Sequence, residues 1–348
     1  MEAGLVQRES KLRFLAIPAA ALRGRNIRAL ARNLLTLLGG TRAAWRLIAR
    51  EQPAVILGTG GYVCVPVFLA ARMRGIPTII YLPDVRPGLA VKLLARIADV
   101  VACSVKESVH YLGMAHGSRS GLPRFVTTGY PVRPELYQME REVCRATFEL
   151  RADLPMLLVT GGSRGARSIN QAVAALLPDL LAICQIVHVC GREGDAAFLE
   201  QATNQLPAEL RQRYQCFPYL HSGAEEQISM TNALGAADVV LCRSGASTLG
   251  ELPALGLPAV LVPYPYVHQE ENADYLVQHG AAVHIPDGAM LGTGKPSAGP
   301  LFRELQRLLR EPDQRTSMAR SSRTLAQPNA ARQLAQLLLA LASRRGAA

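Results

Sequence analysis

The sequence is short of aromatic residues: one Trp, ten Tyr and seven Phe make up 5% of its 348 positions. Basic and aromatic side chains never alternate and no nucleic-acid motif is present, which argues against a nucleic-acid partner. Its seven cysteines (Cys64, Cys103, Cys144, Cys184, Cys190, Cys216, Cys242) are odd in number, scattered and never spaced C-x-x-C. A disulfide framework and a zinc ribbon are thereby excluded, and a reducing compartment fits. None of the seven histidines stands at metal-ligand spacing, and neither HExxH nor a nucleophile elbow occurs, so no metal site is expected. No apolar run reaches the ~18 residues of a membrane span, and no signal peptide is visible. The chain reads as soluble, or as resting on a membrane surface.

What is present builds a core. Hydrophobic residues are 49% and charged residues 19%, and at roughly 100–200 residues per domain two domains are expected. The net charge of +11 is uneven: residues 1–82 hold twelve Lys/Arg and three acids, +9 of the total. Within them 22–50 reads as a helix with seven Arg, no acid, and Leu34, Leu35, Leu38, Trp45 and Ile48 among its apolar positions. Such a stretch can lie at an anionic lipid surface, or can be a core helix with an Arg-rich solvated face.

Eight apolar runs bounded by turn signals (54–57, 77–81, 98–102, 124–127, 155–160, 185–190, 237–242 and 258–262) alternate with helical periodicity, as at 88–97 and 166–182. Short buried strands alternating with helices predict parallel sheets covered on both faces. The Pro-containing stretch 129–155 divides the strands into two doubly wound domains facing a cleft. The predicted boundaries are 1–140, 141–325 and a C-terminal helix over 326–348. The tail 301–345 is predicted helical apart from a break at Pro328, and 287–300 reads as a mobile loop.

In such folds ligands meet the loops at the carboxyl ends of strands. Four loops qualify: GTGGY (58–62), GGSRGAR (161–167), RSGASTLGE (243–251) and PYPYVHQEENA (263–273). In GGSRGAR two glycines let a ligand approach the backbone, Ser163 offers a hydroxyl, and the next helix presents free N–H groups. Glycine there also suits any tight strand–helix turn. In RSGASTLGE, Ser247 and Thr248 offer hydroxyls, and Glu251 falls in a first helical turn. That carboxylate either complements the helix dipole, worth about 0.3–1 kcal/mol, or takes both hydroxyls of a ribose. With HQEEN following, the loops suggest a nucleotide-sugar pocket. His188, within an apolar strand, reads as a core residue, and His268, in the HQEEN loop, is the one histidine with a functional reading.

GTGGYVCVP (58–66), GLAVKLLARIADVV (88–101), TGYPVRPE (128–135), GGSRGAR (161–167), RSGASTLGELPALGLPAVLVPYP (243–265) and HQEENA (268–273) together resemble, in order, the MurG family of glycosyltransferases. The resemblance implies an α/β fold of the GT-B type, two Rossmann-like domains, and inverting transfer of N-acetylglucosamine from UDP-GlcNAc to undecaprenyl-pyrophosphoryl-MurNAc-pentapeptide, the step from lipid I to lipid II in peptidoglycan synthesis. It implies no cofactor beyond the donor substrate. Ser163 and Arg133 would contact the diphosphate. Ala246, Ser247, Thr248, Leu249, Gly250 and Glu251 would hold the nucleotide, with Glu251 on the ribose, and Gln269 would bond the sugar hydroxyls. The uracil contact is left open across 220–229. The Arg-rich helix would face an anionic membrane, which implies a peripheral protein on the cytoplasmic face. Another lipid or glycan acceptor, or a paralogue that only binds UDP-sugar, are the alternatives.

Two departures stand out. The family's opening strand and GGTGGH loop, which carries the His proposed as base, have no counterpart, so the catalytic base is unknown; Gly39-Gly40-Thr41 sits within helical sequence. The first domain is expected to lack its first strands, and loss of a central strand would expose two edges. Little turnover is then expected from the 348 residues alone. Met1 is expected to be internal to a longer frame, and no in-frame G-x-G-G-H within about 40 codons upstream would refute that. The family's His-Glu-Gln-Asn reads Tyr81-Leu82-Pro83-Asp84 here, and Asp84 would replace an Asn on the donor sugar, accepting but not donating hydrogen bonds.

Overall fold

The computed structural model describes residue 6 and residues 10–19, 27–113, 123–221 and 228–346. The chain forms two compact units, residues 1–130 with 329–348, and residues 131–328. In chain order the first carries α1 (Ile27–Glu51), β1 (Ile56–Gly58), α2 (Cys64–Met73), β2 (Thr78–Leu82), α3 (Leu89–Ile97), β3 (Val100–Cys103) and β4 (Phe125–Thr127). The second carries α4 (Arg141–Thr147), β5 (Met156–Thr160), α5 (Arg167–Leu181), β6 (Gln185–Val189), α6 (Ala196–Asn204), α7 (Ala208–Arg211), β7 (Tyr214–Phe217), α8 (Met230–Ala236), β8 (Val239–Cys242), α9 (Thr248–Leu255), β9 (Ala259–Leu261), α10 (Glu270–Gln278), β10 (Ala282–His284), α11 (Pro300–Arg310) and α12 (Pro312–Thr324). The last helix, α13 (Ala330–Gly346), belongs to the first unit.

In the first unit the sheet order is β1-β2-β3-β4, all parallel. Among the described residues the four strands pair consecutively with no gap inside the sheet, in place of the two edges expected to flank a lost central strand. Among the described residues β1 has no partner on its other flank, and its Leu57 is 36% exposed. Strands β2 and β3 are buried at every residue, as a parallel sheet covered on both faces requires. On one face Ile80, Leu82 and Val101 pack with Phe68 of α2 and Leu94 of α3. On the other, Ile79, Tyr81, Val100 and Ala102 meet Leu334 and Leu341 of α13. That burial is why the C-terminal helix joins the first unit from Asn329. At the other boundary, the 3-10 turn Pro134–Gln138 packs on α9 and α4 packs on α8, so both join the second unit, which begins at Pro131 and not near 140.

The second sheet has the order β10-β9-β8-β5-β6-β7, again all parallel. The order reverses between β5 and β8, the switch point of a doubly wound fold. Two of its strands, β7 and β10, were absent from the eight apolar runs. They are the sheet's two edges, only partly buried, and short or polar in sequence (YQCF and AVH). The stretch 287–300, expected as a mobile loop, is tied down by two 3-10 turns, by Leu301 N–H on the Met290 carbonyl, and by Asp287. Pro312 adds a break in the tail between α11 and α12. Of the predicted basic helix, 22–26 lie outside the described residues.

Candidate nucleotide-sugar site

At the switch point the loops after β5 and β8 diverge and leave a cavity of about 330 Å³. The loop after β5 is shaped by backbone packing. A Cβ on Gly161 would overlap the Ala166 nitrogen, and one on Gly165 the Cys190 carbonyl. Gly162 and Gly165 have φ of +82° and +88°, where side chains are disfavoured. The loop is thus locked against the end of β6, and helix α5 starts without a capping side chain. Its first N–H groups and dipole are left for an anion, with Ser163 at the cavity wall. Gly165→Ala is expected to cost about 2–4 kcal/mol, from strain plus backbone overlap. Gly162→Ala, strained with nothing within 4 Å of the new carbon, should cost about 1–2 kcal/mol. Denaturant midpoints of the two variants check the ranking.

The loop after β8 delivers the polar side chains. Ser247, Thr248 and Glu251 line the cavity, and α9 also begins without a side-chain cap. Burial pushes the Glu251 carboxyl up, opposed by a hydrogen bond from Ser247 and by the charge of Arg133. Gln269, just before α10, accepts the Tyr264 N–H on Oε1 at 2.9 Å. Its amide N–H₂ is then the group available to a ligand, and it too lines the cavity. Ser244 donates to the Gln269 carbonyl at 2.8 Å, and the fully buried Asn272 donates to the Ser244 carbonyl at 3.0 Å. The loops after β8 and β9 therefore form one braced body.

Arg243 joins that body to the first loop, a role its sequence neighbourhood did not reveal. Its guanidinium donates to the carbonyls of Val262 and Pro263 at 3.0 and 3.1 Å, to Asp287 at 2.5 Å, and to Ser168 in the first turn of α5 at 2.8 Å. Ser168 in turn donates to Asp287 at 2.7 Å. Behind α5 runs a second buried chain. Tyr214 hydroxyl to His188 Nδ1 is 2.8 Å and His188 Nε2 to Asn170 Oδ1 is 2.9 Å. Asn170 N–H₂ donates to the Cys190 carbonyl and to Asp195, both at 2.8 Å. Burial pushes His188 down to about 3, so it is a neutral core residue, as its apolar strand suggested. All seven cysteines are free thiols, and burial pushes those of Cys103 and Cys242 up to about 12. Among the described residues no three His, Cys, Asp or Glu cluster for a metal.

Of the residues singled out from sequence, Ser163, Ser247, Thr248, Glu251 and Gln269 share the cavity wall. Arg133 stands at the start of the 3-10 turn on α9, close enough to act on Glu251. Ala246 lies in the turn, while Leu249 and Gly250 are buried in α9 and shape the loop from behind. Asp84 is in the first unit, where its carbonyl accepts from Ser108 at 3.3 Å. Tyr81 is 5% exposed, with its hydroxyl on Ser104 at 2.6 Å and on the Gly129 carbonyl at 3.1 Å. His268 is exposed and outside the cavity lining. Tyr219, Met230 and Leu234, not anticipated from the sequence, also line the cavity, as does Leu220. Within the 220–229 stretch left open for uracil, 222–227 lie outside the described residues.

The glycosyltransferase family 28 N-terminal domain matches residues 1–103, and the glycosyltransferase family 28 C-terminal domain matches residues 156–336. The chain belongs to glycosyltransferase family 28. Among its relatives, the UDP-N-acetylglucosamine--N-acetylmuramyl-(pentapeptide) pyrophosphoryl-undecaprenol N-acetylglucosamine transferase of Roseiflexus sp. (strain RS-1) is 58% identical, over 99% of this chain and 82% of that one. The protein of the same name from Desulforamulus reducens is 38% identical over 84% of this chain and 74% of its own. Among solved structures, Acinetobacter baumannii MurG superposes with a TM-score of 0.71 at 26% identity, covering 97% of this chain and 88% of that one. A UDP-GlcNAc 2-epimerase from Neisseria meningitidis bound to UDP-GlcNAc shares the fold alone: 13% identity, TM-score 0.65, 97% of this chain and 88% of that one. The family 28 chain thus has its two parallel-sheet, Rossmann-like domains in common with GT-B proteins.

Proposed function

We propose that this family 28 enzyme transfers N-acetylglucosamine, with inversion, from UDP-GlcNAc to undecaprenyl-pyrophosphoryl-MurNAc-pentapeptide, the lipid I to lipid II step of peptidoglycan synthesis. The observation that carries this is the convergence of the Ser163 loop, Glu251 and Gln269 on one cavity, in a chain whose relatives bear that activity in their names. Ser163 and the open start of α5, with Arg133, take the diphosphate. Glu251 accepts from both ribose hydroxyls, and the Gln269 amide donates to the sugar. UDP departs as negative charge develops on it, and two helix N-termini with an arginine offset that charge, so no cofactor is called for. The acceptor hydroxyl, a poor nucleophile, attacks the anomeric carbon with the help of a general base.

The lipid-linked acceptor and a peripheral place on the cytoplasmic face of the membrane belong to the same proposal. Arg32, Arg42, Arg46 and Arg50 of α1 are exposed, and so are Leu34, Leu35 and Leu38 at 50%, 69% and 59%. Trp45 contributes less than its sequence position suggested, being half-buried with Arg74 stacked 3.9 Å from its ring. Among the described residues no helix is long and apolar enough to cross a membrane. Each exposed arginine near an anionic surface is worth about 1 kcal/mol.

Radiolabelled UDP-GlcNAc incubated with a lipid I analogue tests the proposal. A labelled lipid-linked disaccharide, slow to accumulate and undiminished by excess UDP-glucose, is expected. Transfer to a different acceptor with none to this one, or equal use of UDP-glucose, contradicts it.

A further inference from the structure

The second unit has another cavity, of about 440 Å³, at the opposite, amino-terminal ends of β8 and β9. Four arginines line it, Arg141, Arg315, Arg320 and Arg323, against one carboxylate, Asp238. That carboxylate is already saturated. It receives Arg141 at 2.7 Å, Arg145 at 3.2 Å and the Met156 N–H at 2.8 Å, with Arg315 at 3.8 Å. Arg141 also satisfies the carbonyl of Ala237, and Arg315 those of Leu308 and Leu309.

Arg320 and Arg323 are different. They are three residues apart on α12 and so share a face, and among the described residues neither guanidinium has a hydrogen-bond or ion-pair partner. The adjacent end of α9 does not need them as caps. Gly256, at φ +64°, closes it with its own N–H on Pro253, and the Leu257 N–H bonds Leu252. Gly256 also makes the room, because a Cβ there would overlap the Arg323 side chain. Arg320 and Arg323 are exposed residues lining a cavity with surplus positive charge, and two uncommitted guanidinium forks there suit a planar or tetrahedral oxyanion.

We propose that this cavity is a second anion site, distinct from the nucleotide-sugar cavity and built for a ligand bearing a phosphate or pyrophosphate group. Inorganic pyrophosphate is the probe, titrated into the full chain with excess UDP-GlcNAc present to occupy the first cavity. One pyrophosphate per chain is expected to bind, and Arg320→Gln/Arg323→Gln is expected to weaken it at least about tenfold. The charge-matched Arg303→Gln/Arg310→Gln, on exposed positions of α11 outside the cavity, is expected to bind as the parent does. Thermal melts confirm that both variants are folded. Absence of binding, no loss in the first variant, or equal loss in both overturns the proposal. The site does not depend on the proposed transfer: if UDP-GlcNAc fails to bind, the Arg320/Arg323 dependence of pyrophosphate binding still decides it. Displacement of pyrophosphate by phosphatidylglycerol vesicles identifies a lipid headgroup as the source of the phosphate, and no displacement identifies a soluble one.

Discussion

Glu251→Ala is expected to lower UDP-GlcNAc affinity by about a hundredfold, since two charge-assisted hydrogen bonds to the ribose diol are each worth about 1.5 kcal/mol. The pH dependence carries a sharper signature. Burial raises the Glu251 carboxyl above the ordinary glutamate range. The ionised form is the better acceptor, so affinity should fall on acidification at a pH where an exposed glutamate is still ionised, and be regained as pH rises. Glu251→Gln keeps one acceptor oxygen and does not titrate. Its affinity should lie between the two and stay flat across that range. Titration calorimetry of the three proteins at several pH values checks both statements, and an acid decline that persists in Glu251→Gln would assign the effect to another group.

Arg243→Ala should have the largest effect on stability. The side chain is 11% exposed and bridges α5, the loop after β9 and Asp287. Its removal leaves two carbonyls without their donor and Asp287 with Ser168 alone among these partners. Breaking such a buried pair costs about 3–5 kcal/mol, which in a unit of this size lowers Tm by roughly 6–20 °C. Arg243→Lys should recover little, because an ammonium cannot span four acceptors arranged around a planar fork. The two loops that meet at the cavity are held through this residue. Donor affinity measured well below Tm should therefore also fall, whereas a purely structural role elsewhere in the core would leave it intact.

Much of this architecture is legible in the sequence, for identifiable reasons. Strands β2, β3, β5 and β8 are nearly continuous apolar runs because both faces of their sheets are covered. The loops at the switch point announce themselves through glycines that backbone packing demands, as at Gly161 and Gly165. What was hidden depends on tertiary contact. The edge strands β7 and β10 are half-solvated and only four and three residues long. Tyr81 reads as part of a ligand motif, yet its hydroxyl bonds within the core. Arg243 and Asp287 lie 44 residues apart, the second in a stretch with the composition of a loop, so no local pattern links them. The one sequence cue was an arginine opening a loop otherwise made of small residues.

The cavity between the β5 and β8 loops is expected to receive the UDP moiety. A structure of the chain with UDP-GlcNAc bound decides this. The diphosphate is expected over Gly161–Ser163 at the start of α5, with both ribose hydroxyls on Glu251. UDP seated elsewhere, or with its ribose turned away from Glu251, would contradict it.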